Sequence, residues 1–437
     1  MEHIVLRRFV LIMWIYTKVI IKHIIRIPVY LLIYLIYLIY ILMPKDEKLW
    51  IFGSQFGYAF VGNTKYLFEY VAKNKKNIRA VWLSRDKNVL KYLSNSGYEA
   101  YLTYSFKGFY YSMKARVVIF SSGVGDINKL IPYDSHTKII QLWHGFPLKK
   151  LTLKEELISS LRKNRMISFV KNIGLRIFPF ASEHYDLGIA TSDSAREKLS
   201  YALKIPLNRV VVTGYPRDDI LISKGKPSKI FNNLKRNYDF KYLILYLPTY
   251  RGNAHSVSNI FNLLNEKYPF DVDKFDRFLT QFEALFLIRV HPLSRITDQN
   301  LIDKINKSQR IKLLLKTPVE ESDVYPLLRH TDILVTDYSS VYSDFLLLDR
   351  PVIFASFDLE NYMRTDKGFY YNYYDVAAGP IAKNWDGVLM YIKEAINQPE
   401  KYKEKRERVC KMFNKYKDAN SSERVYKAIM DILESSI

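Results

Sequence analysis

Residues 332–355 read DILVTDYSSVYSDFLLLDRPVIFA. A short β-branched run, DILVT, meets a polar corner, an amphipathic stretch carries on to Leu348, and a second apolar run begins at Pro351. Two compact apolar runs joined by a helix-length crossover are what parallel strands buried on both faces look like in sequence. Working outward, KYLILYL from 241, ALFLIRV from 284 and IKLLL from 311 belong to the same unit. Upstream the pattern has already occurred once, in KLWIFG from 48, IRAVWLS from 78, RVVIFS from 116, KIIQLW from 138, DLGIAT from 186 and RVVVTG from 209. Between the two sets lies SKGKPSK, 223–229, with Gly, Pro and Ser among lysines, which reads as a linker. The fold class is therefore α/β: two Rossmann-like domains of about 180 residues each, facing a central cleft. The division is 1–44, a hydrophobic anchor; 45–225, the first domain; and 226–437, the second.

A chain of 437 residues, 49% apolar and 25% charged, can bury two cores and is not disordered. Its 66 Lys and Arg against 44 Asp and Glu leave a net charge of +22, which attracts polyanions. The cations accompany apolar segments and form no nucleic-acid module, so anionic lipid and phosphorylated substrates are the expected partners and nucleic acid is not. The single cysteine, Cys410, excludes an internal disulfide and fits a reducing compartment.

The stretch IPVYLLIYLIYLIYILM, 27–43, carries no charge, and Tyr30, Tyr34, Tyr37 and Tyr40 recur along it at helical spacing. A stripe of amphipathic rings suits a membrane interface. No small-residue cleavage site comes after it, so it is not read as a secretory signal. Seventeen residues is the short end of a span, and a span would put Arg7, Arg8, Lys18, Lys22 and Arg26 across the bilayer from the rest of the chain. A monotopic or re-entrant anchor on the cytoplasmic face of the cell membrane is preferred to a span, and both to a buried core hairpin. Between Lys149 and Arg176, eight cations and two acids alternate with Leu157, Leu161, Ile167, Phe169 and other apolar residues. Such a basic amphipathic stretch can lie on anionic lipid, or be an ordinary crossover helix with a solvated face.

Ligands of open α/β sheets bind beyond the carboxyl ends of the strands, so the residues just past each strand are the informative ones. After KIIQLW come His144, Gly145 and Pro147, a tight turn with an imidazole placed to act as general base on a hydroxyl, or else to bond the loop backbone. After ALFLIRV come His291 and Pro292, the same device in the second domain. After DILVT, Asp337 or Ser339 can cap a helix whose start offers Ser339, Ser340 and free N–H groups to a phosphate. TGYPRDD and LPTYRGN each pair a proline turn with an arginine, Arg217 and Arg251, able to fork a phosphate. No Walker loop, CxxC, HExxH, Gly-x-Ser-x-Gly or Asp-x-Asp pattern is present.

Taken together and in order, QLWHGFPLKKL, TGYPRDDIL, LYLPTYR, RVHP, TDILVTDYSSVYSDFLLLDRPVIF and GFYYNYYDVAAGPI resemble the landmarks of the CDP-glycerol glycerophosphotransferase family of teichoic acid and capsule synthesis, with FGSQFGYAFVGNTKYLFEY resembling its opening. The resemblance runs from about Leu49 to Lys383. It implies a GT-B fold with an acceptor domain first and a donor domain second. It implies transfer of a polyol phosphate, glycerol phosphate foremost, from a CDP-polyol to an undecaprenyl-diphosphate-linked acceptor, with no metal or other cofactor. His144 is then the base and His291 the group that contacts the diphosphate and eases CMP departure. Ser339, Ser340, Asp337, Asp344, Arg251, Arg217, Gly145 and Pro147 complete the substrate-binding set. A GT-B glycosyltransferase using a nucleotide sugar is the alternative. Phe146, Tyr250 and Asp218 depart from the Thr or Ser, Trp and Asn common in the family, and Phe146, beside the base, is expected to bear on acceptor preference.

Overall fold

The structure is a computed structural model describing residues 31–151, 184–223, 225, 228–249, 268–290, 298–315, 317–365 and 368–435. Its first sheet has seven parallel strands: β1 Asp46–Phe52, β2 Arg79–Ser84, β3 Ala100–Leu102, β4 Ala115–Phe120, β5 Lys138–Gln141, β6 Leu187–Ala190 and β7 Val210–Val212. They lie in the order β3-β2-β1-β4-β5-β6-β7. The second has five, β8 Tyr242–Leu247, β9 Ala284–Arg289, β10 Ile311–Leu314, β11 Ile333–Thr336 and β12 Val352–Phe354, in the order β10-β9-β8-β11-β12. All pairings within both sheets are parallel. Eleven of these twelve strands are the apolar runs read from sequence; β3, a half-buried triplet on the sheet edge, has no compact run to betray it. The α/β class is thus observed, and the order of each sheet reverses its direction of growth at β1/β4 and β8/β11, where doubly wound sheets open a crevice.

Alternation along each strand sends side chains to two faces. Trp50, Phe52, Trp82 and Ile119 face one side of the first sheet, and Leu49, Ile51, Val81 and Val118 the other. The final helix, Ser421–Glu434, does not stay with the second domain. Val425 and Ile429 join the first core, and Tyr426 lies 5.7 Å from Trp50, centroid to centroid. Asp219 anchors its start by accepting from the N–H groups of Ser421 and Ser422, each at 2.8 Å, which a carboxylate at a helix N-terminus does favourably. A further cluster joins the domains, with Phe146, Leu148 and Leu199 of the first among Tyr338, Phe369 and Phe413 of the second.

The N-terminal stripe of tyrosines differs from the expectation. In the helix over 31–42, Tyr40 is fully buried: its hydroxyl donates to Thr137 Oγ1 at 2.7 Å, its ring meets Tyr133 edge-on, and Lys45 Nζ sits 3.2 Å above it. Tyr37 stacks beside it and, like Tyr34, stays half-buried, so of the described rings only Tyr40 is taken into the core; Leu31, Leu35, Leu38, Ile39 and Leu42 are on the exposed face. Among the described residues no helix is long and apolar enough to cross a membrane. Residues 1–30 and most of the Lys149–Arg176 stretch lie outside the described residues.

Candidate active site

The strand ends of the first domain build a holder for His144. Trp143 has φ +55°, a left-handed conformation that a bulky residue adopts only when its surroundings impose it. Here they do: Gln141 Oε1 accepts from its N–H at 2.9 Å, and Asn63 Nδ2, from the helix Gly62–Asn74, donates to the carbonyls of Leu142 and Trp143, each at 3.0 Å. The next two carbonyls are also taken. Arg217 Nη1 donates to that of His144 at 2.7 Å, and the Tyr215 hydroxyl to that of Gly145 at 3.0 Å. Pro147 then turns the chain sharply, Leu148 N–H donating back to Phe146 carbonyl at 2.8 Å.

The imidazole itself is held lightly. Its Nδ1 lies 3.3 Å from the carbonyl of Ser121, just past β4, and since a carbonyl only accepts, Nδ1 carries the proton and Nε2 keeps a lone pair. Ser121 is fixed in turn by Asp126, whose carboxylate accepts from the N–H groups of Ser121, Ser122 and Phe56. The residue is crowded by protein yet keeps an exposed side, and its ring is tilted 32° to that of Trp143 with centroids 4.2 Å apart. Burial pushes its pKa below the usual imidazole value, the Arg217 charge adds to that, and the Ser121 bond opposes it. A neutral imidazole with a free, reachable Nε2 is what a general base requires.

From the second domain, Ser340 reaches this loop. A Cβ placed on Gly145 would stand 2.5 Å from Ser340 Oγ, so a larger residue would have to turn the Ser340 hydroxyl away from this loop. The helix after β11 runs Val341–Phe345 and continues as a tighter turn through Leu348, as read from sequence, and of the two expected caps it is Ser339 that serves. Ser340 stands at the boundary, its side chain making no cap bond, and Ser339 Oγ accepts from Val341 N–H at 3.4 Å. Asp337 is buried and joins two loops instead, accepting from Thr249 N–H at 2.8 Å and Tyr338 N–H at 2.6 Å.

Arg217 and Asp344 are likewise buried, and they pair with each other across the domains: Nη2 to Oδ2 is 2.6 Å, with the Tyr325 hydroxyl donating to the same oxygen. The arginine fork expected to grip phosphate therefore grips a carboxylate and the His144 carbonyl. Phe146 also departs from expectation. Rather than facing an acceptor beside the base, its ring is buried between the domains, 3.8 Å from Phe413 and 5.8 Å from Tyr371. His291, which comes after β9 and Val290, and Arg251, which comes after β8, lie outside the described residues. Among the described residues no three His, Cys, Asp or Glu side chains cluster as metal ligands.

Sequence reasoning missed Asn63, Ser121, Asp126, Tyr215 and Tyr325 as site residues, although Asn63 and Tyr215 lie inside the quoted stretches FGSQFGYAFVGNTKYLFEY and TGYPRDDIL. The Ser121-Ser122 pair is legible, since it comes after β4 as Ser339-Ser340 comes after β11. The others act on backbone groups or buried partners, and nothing in their own neighbourhoods marks that.

With this geometry in place, comparison with known proteins is specific. Residues 35–431 match the family described as CDP-Glycerol:Poly(glycerophosphate) glycerophosphotransferase. A teichoic acid poly(glycerol phosphate) polymerase of Bacillus spizizenii is 30% identical over 372 residues, 83% of this chain and 86% of that one. A teichoic acid poly(ribitol-phosphate) polymerase of the same organism is 27% identical over 89% of this chain and 57% of its own length. Among solved structures, the wall teichoic acid polymerase TagF superimposes with a TM-score of 0.66 at 21% identity, covering 90% of this chain and 91% of that one, a likeness of fold.

Proposed function

The chain belongs to the CDP-glycerol:poly(glycerophosphate) glycerophosphotransferase family and is a transferase, and from that premise we propose that it moves a polyol phosphate, glycerol phosphate first, from a CDP-polyol to a hydroxyl of an undecaprenyl-diphosphate-linked acceptor in teichoic acid or capsule synthesis. His144 Nε2 takes the acceptor hydroxyl proton. The freed oxygen bonds to the distal phosphorus, the bond from that phosphorus to the bridging oxygen breaks, and CMP leaves with the electron pair. His291 and Arg251 serve the diphosphate side, and Ser339 and Ser340 hold phosphate oxygens. Such a transfer asks the protein mainly to position groups and stabilise charge.

One observation carries this reading: the loop bearing the base and the Ser339-Ser340 turn, from opposite domains, meet at Gly145 closely enough that a methyl group there would displace the Ser340 hydroxyl. A hydroxyl at His144 and a phosphate at Ser340 would be neighbours. The test is a panel of CDP-glycerol, CDP-ribitol and UDP-sugars with lipid-linked acceptors, reading CMP release and product length; turnover of UDP-sugars alone would overturn it. For the donor side, the double change Ser339→Ala, Ser340→Ala is expected to raise the calorimetric Kd for CDP-glycerol by the equivalent of about 1.5–3 kcal/mol per lost charge-assisted bond. An unchanged Kd would remove these serines from the donor site.

The acceptor's lipid requires a membrane, and the exposed leucine face of the helix over 31–42 supports docking of this domain on the cytoplasmic leaflet. Replacing Leu35 and Leu42 with Glu removes two insertions of about 1.5–3 kcal/mol each. The vesicle partition coefficient of the full chain, read by flotation, is expected to fall on the order of 10²- to 10⁴-fold, and undiminished flotation would assign the docking to other segments.

A further inference from the structure

Arg217 is 5% exposed, Asp218 3% and Asp344 0%, so three ionisable groups share one buried junction beneath His144. Their partners are unequal. Asp344 Oδ2 accepts from Arg217 Nη2 and from the Tyr325 hydroxyl, two donors and one of them a cation, as suits an ionised carboxylate. Asp218 Oδ1 has no hydrogen-bond partner and stands 3.9 Å from Arg217 Nε, which has none either. One guanidinium cannot neutralise two ionised carboxylates, and an uncompensated buried charge is the costliest arrangement available.

No other charge reaches Asp218 to compensate it among the described residues. On its own segment, Tyr215 is neutral and bonds Gly145, while Asp219 is taken up by Ser421 and Ser422 at the start of the last helix. From the second domain come Asp344 and Tyr325, already paired. From the helix Gly62–Asn74, Asn63 is neutral and Lys65 lies 3.9 Å from Asp323. On the last helix, Arg424 is held by Asp418 and the Thr213 carbonyl.

We propose that Arg217 is a positioning residue for His144, fixing the main chain of the base through its carbonyl, and that Arg217 is itself aligned by an ionised Asp344 on one side and a neutral, protonated Asp218 on the other. This rests on His144 being the base. The same junction spans both domains, so the base is in register only when the donor domain's Asp344 is seated against the first domain. Burial first, and the nearby Asp344 second, push the Asp218 pKa well above the ordinary carboxylate value, in agreement with the geometry. Raising pH through that value ionises Asp218, sets its charge against that of Asp344 for the same guanidinium, and loosens His144.

The experiment measures kcat and KM for CDP-glycerol across pH in the full-length wild type, Arg217→Lys, Asp218→Asn, His144→Ala and the Arg217→Lys, His144→Ala double variant, with circular dichroism to count folded protein. Arg217→Lys keeps the charge and loses the fork. It is expected to lower kcat on the order of 10- to 100-fold, as misplacing a reacting group does, with KM for CDP-glycerol within about twofold, and to add nothing on the His144→Ala background. Asp218→Asn holds the neutral shape permanently and is expected to extend activity to higher pH. A raised KM with kcat intact in Arg217→Lys would make Arg217 a donor ligand, and full activity per folded molecule would make it purely structural; either overturns the proposal, as does an Asp218→Asn profile that superimposes on wild type. Near-normal turnover in His144→Ala is a separate result, which removes the base reading and this proposal with it.

Discussion

His144→Ala is expected to cut CMP release on the order of 10²- to 10⁴-fold, the usual contribution of a positioned general base, while CDP-glycerol still binds. The backbone around residue 144 is held through carbonyls, by Asn63, Arg217 and Tyr215, and none of those bonds involves the imidazole. Removing the ring therefore deletes the proton acceptor and leaves the loop in place. Steady-state CMP release beside calorimetry with CDP-glycerol measures both halves of the claim, and near-normal turnover would return His144 to a structural role. The direction of its pKa shift sets the pH dependence. Because burial lowers the pKa of His144 below 6.5, the base form is present at neutral pH, and the acid limb of kcat/KM falls at a lower pH than a free imidazole would give. The linkage has the same sign: the folded protein takes up this proton less readily than the unfolded chain, so stability contributed here is lost as pH falls below 6.5.

The second large effect is on stability. Phe146→Ala empties a site between the domains where the ring is 4% exposed and lies 3.8 Å from Phe413. Truncating a buried Phe costs about 3–5 kcal/mol, from lost transfer free energy and from the cavity left behind. Loss of that size should appear as a lower midpoint in denaturant unfolding, with Phe413→Ala giving a similar change and the double variant less than the sum, since the two rings are in contact. The relative rates with different lipid-linked acceptors should stay as they are, because the ring faces a core and not a substrate. A stable variant with altered acceptor choice would reverse that placement of Phe146.

Both predictions depend on residues that the sequence locates well and interprets unevenly. Strands buried on both faces are continuous apolar runs, and a run such as KIIQ or ILVT announces itself without reference to any partner; the residues beyond its carboxyl end are then placed at the crevice by topology alone. In that way the two parallel sheets and the strand-end positions of His144, Ser339 and Ser340 are determined by local sequence. Which side of a local pattern meets protein is not. A tyrosine at helical spacing over 31–42 could line an interface or a core, and for Tyr40 it is Thr137 and Tyr133, about a hundred residues on, that decide by receiving its hydroxyl and ring. Arg217 could grip a phosphate or a carboxylate, and Asp344, separated from it by 127 residues, takes the fork. Phe146 stands two residues after His144 and so reads as a neighbour of the base, yet its ring packs on Phe413 across the domains. The same physical reason underlies all three. Backbone periodicity and strand order are set by near neighbours, whereas the partner of a side chain is set by whichever distant surface the two sheets bring against it, and only the closed tertiary structure decides that.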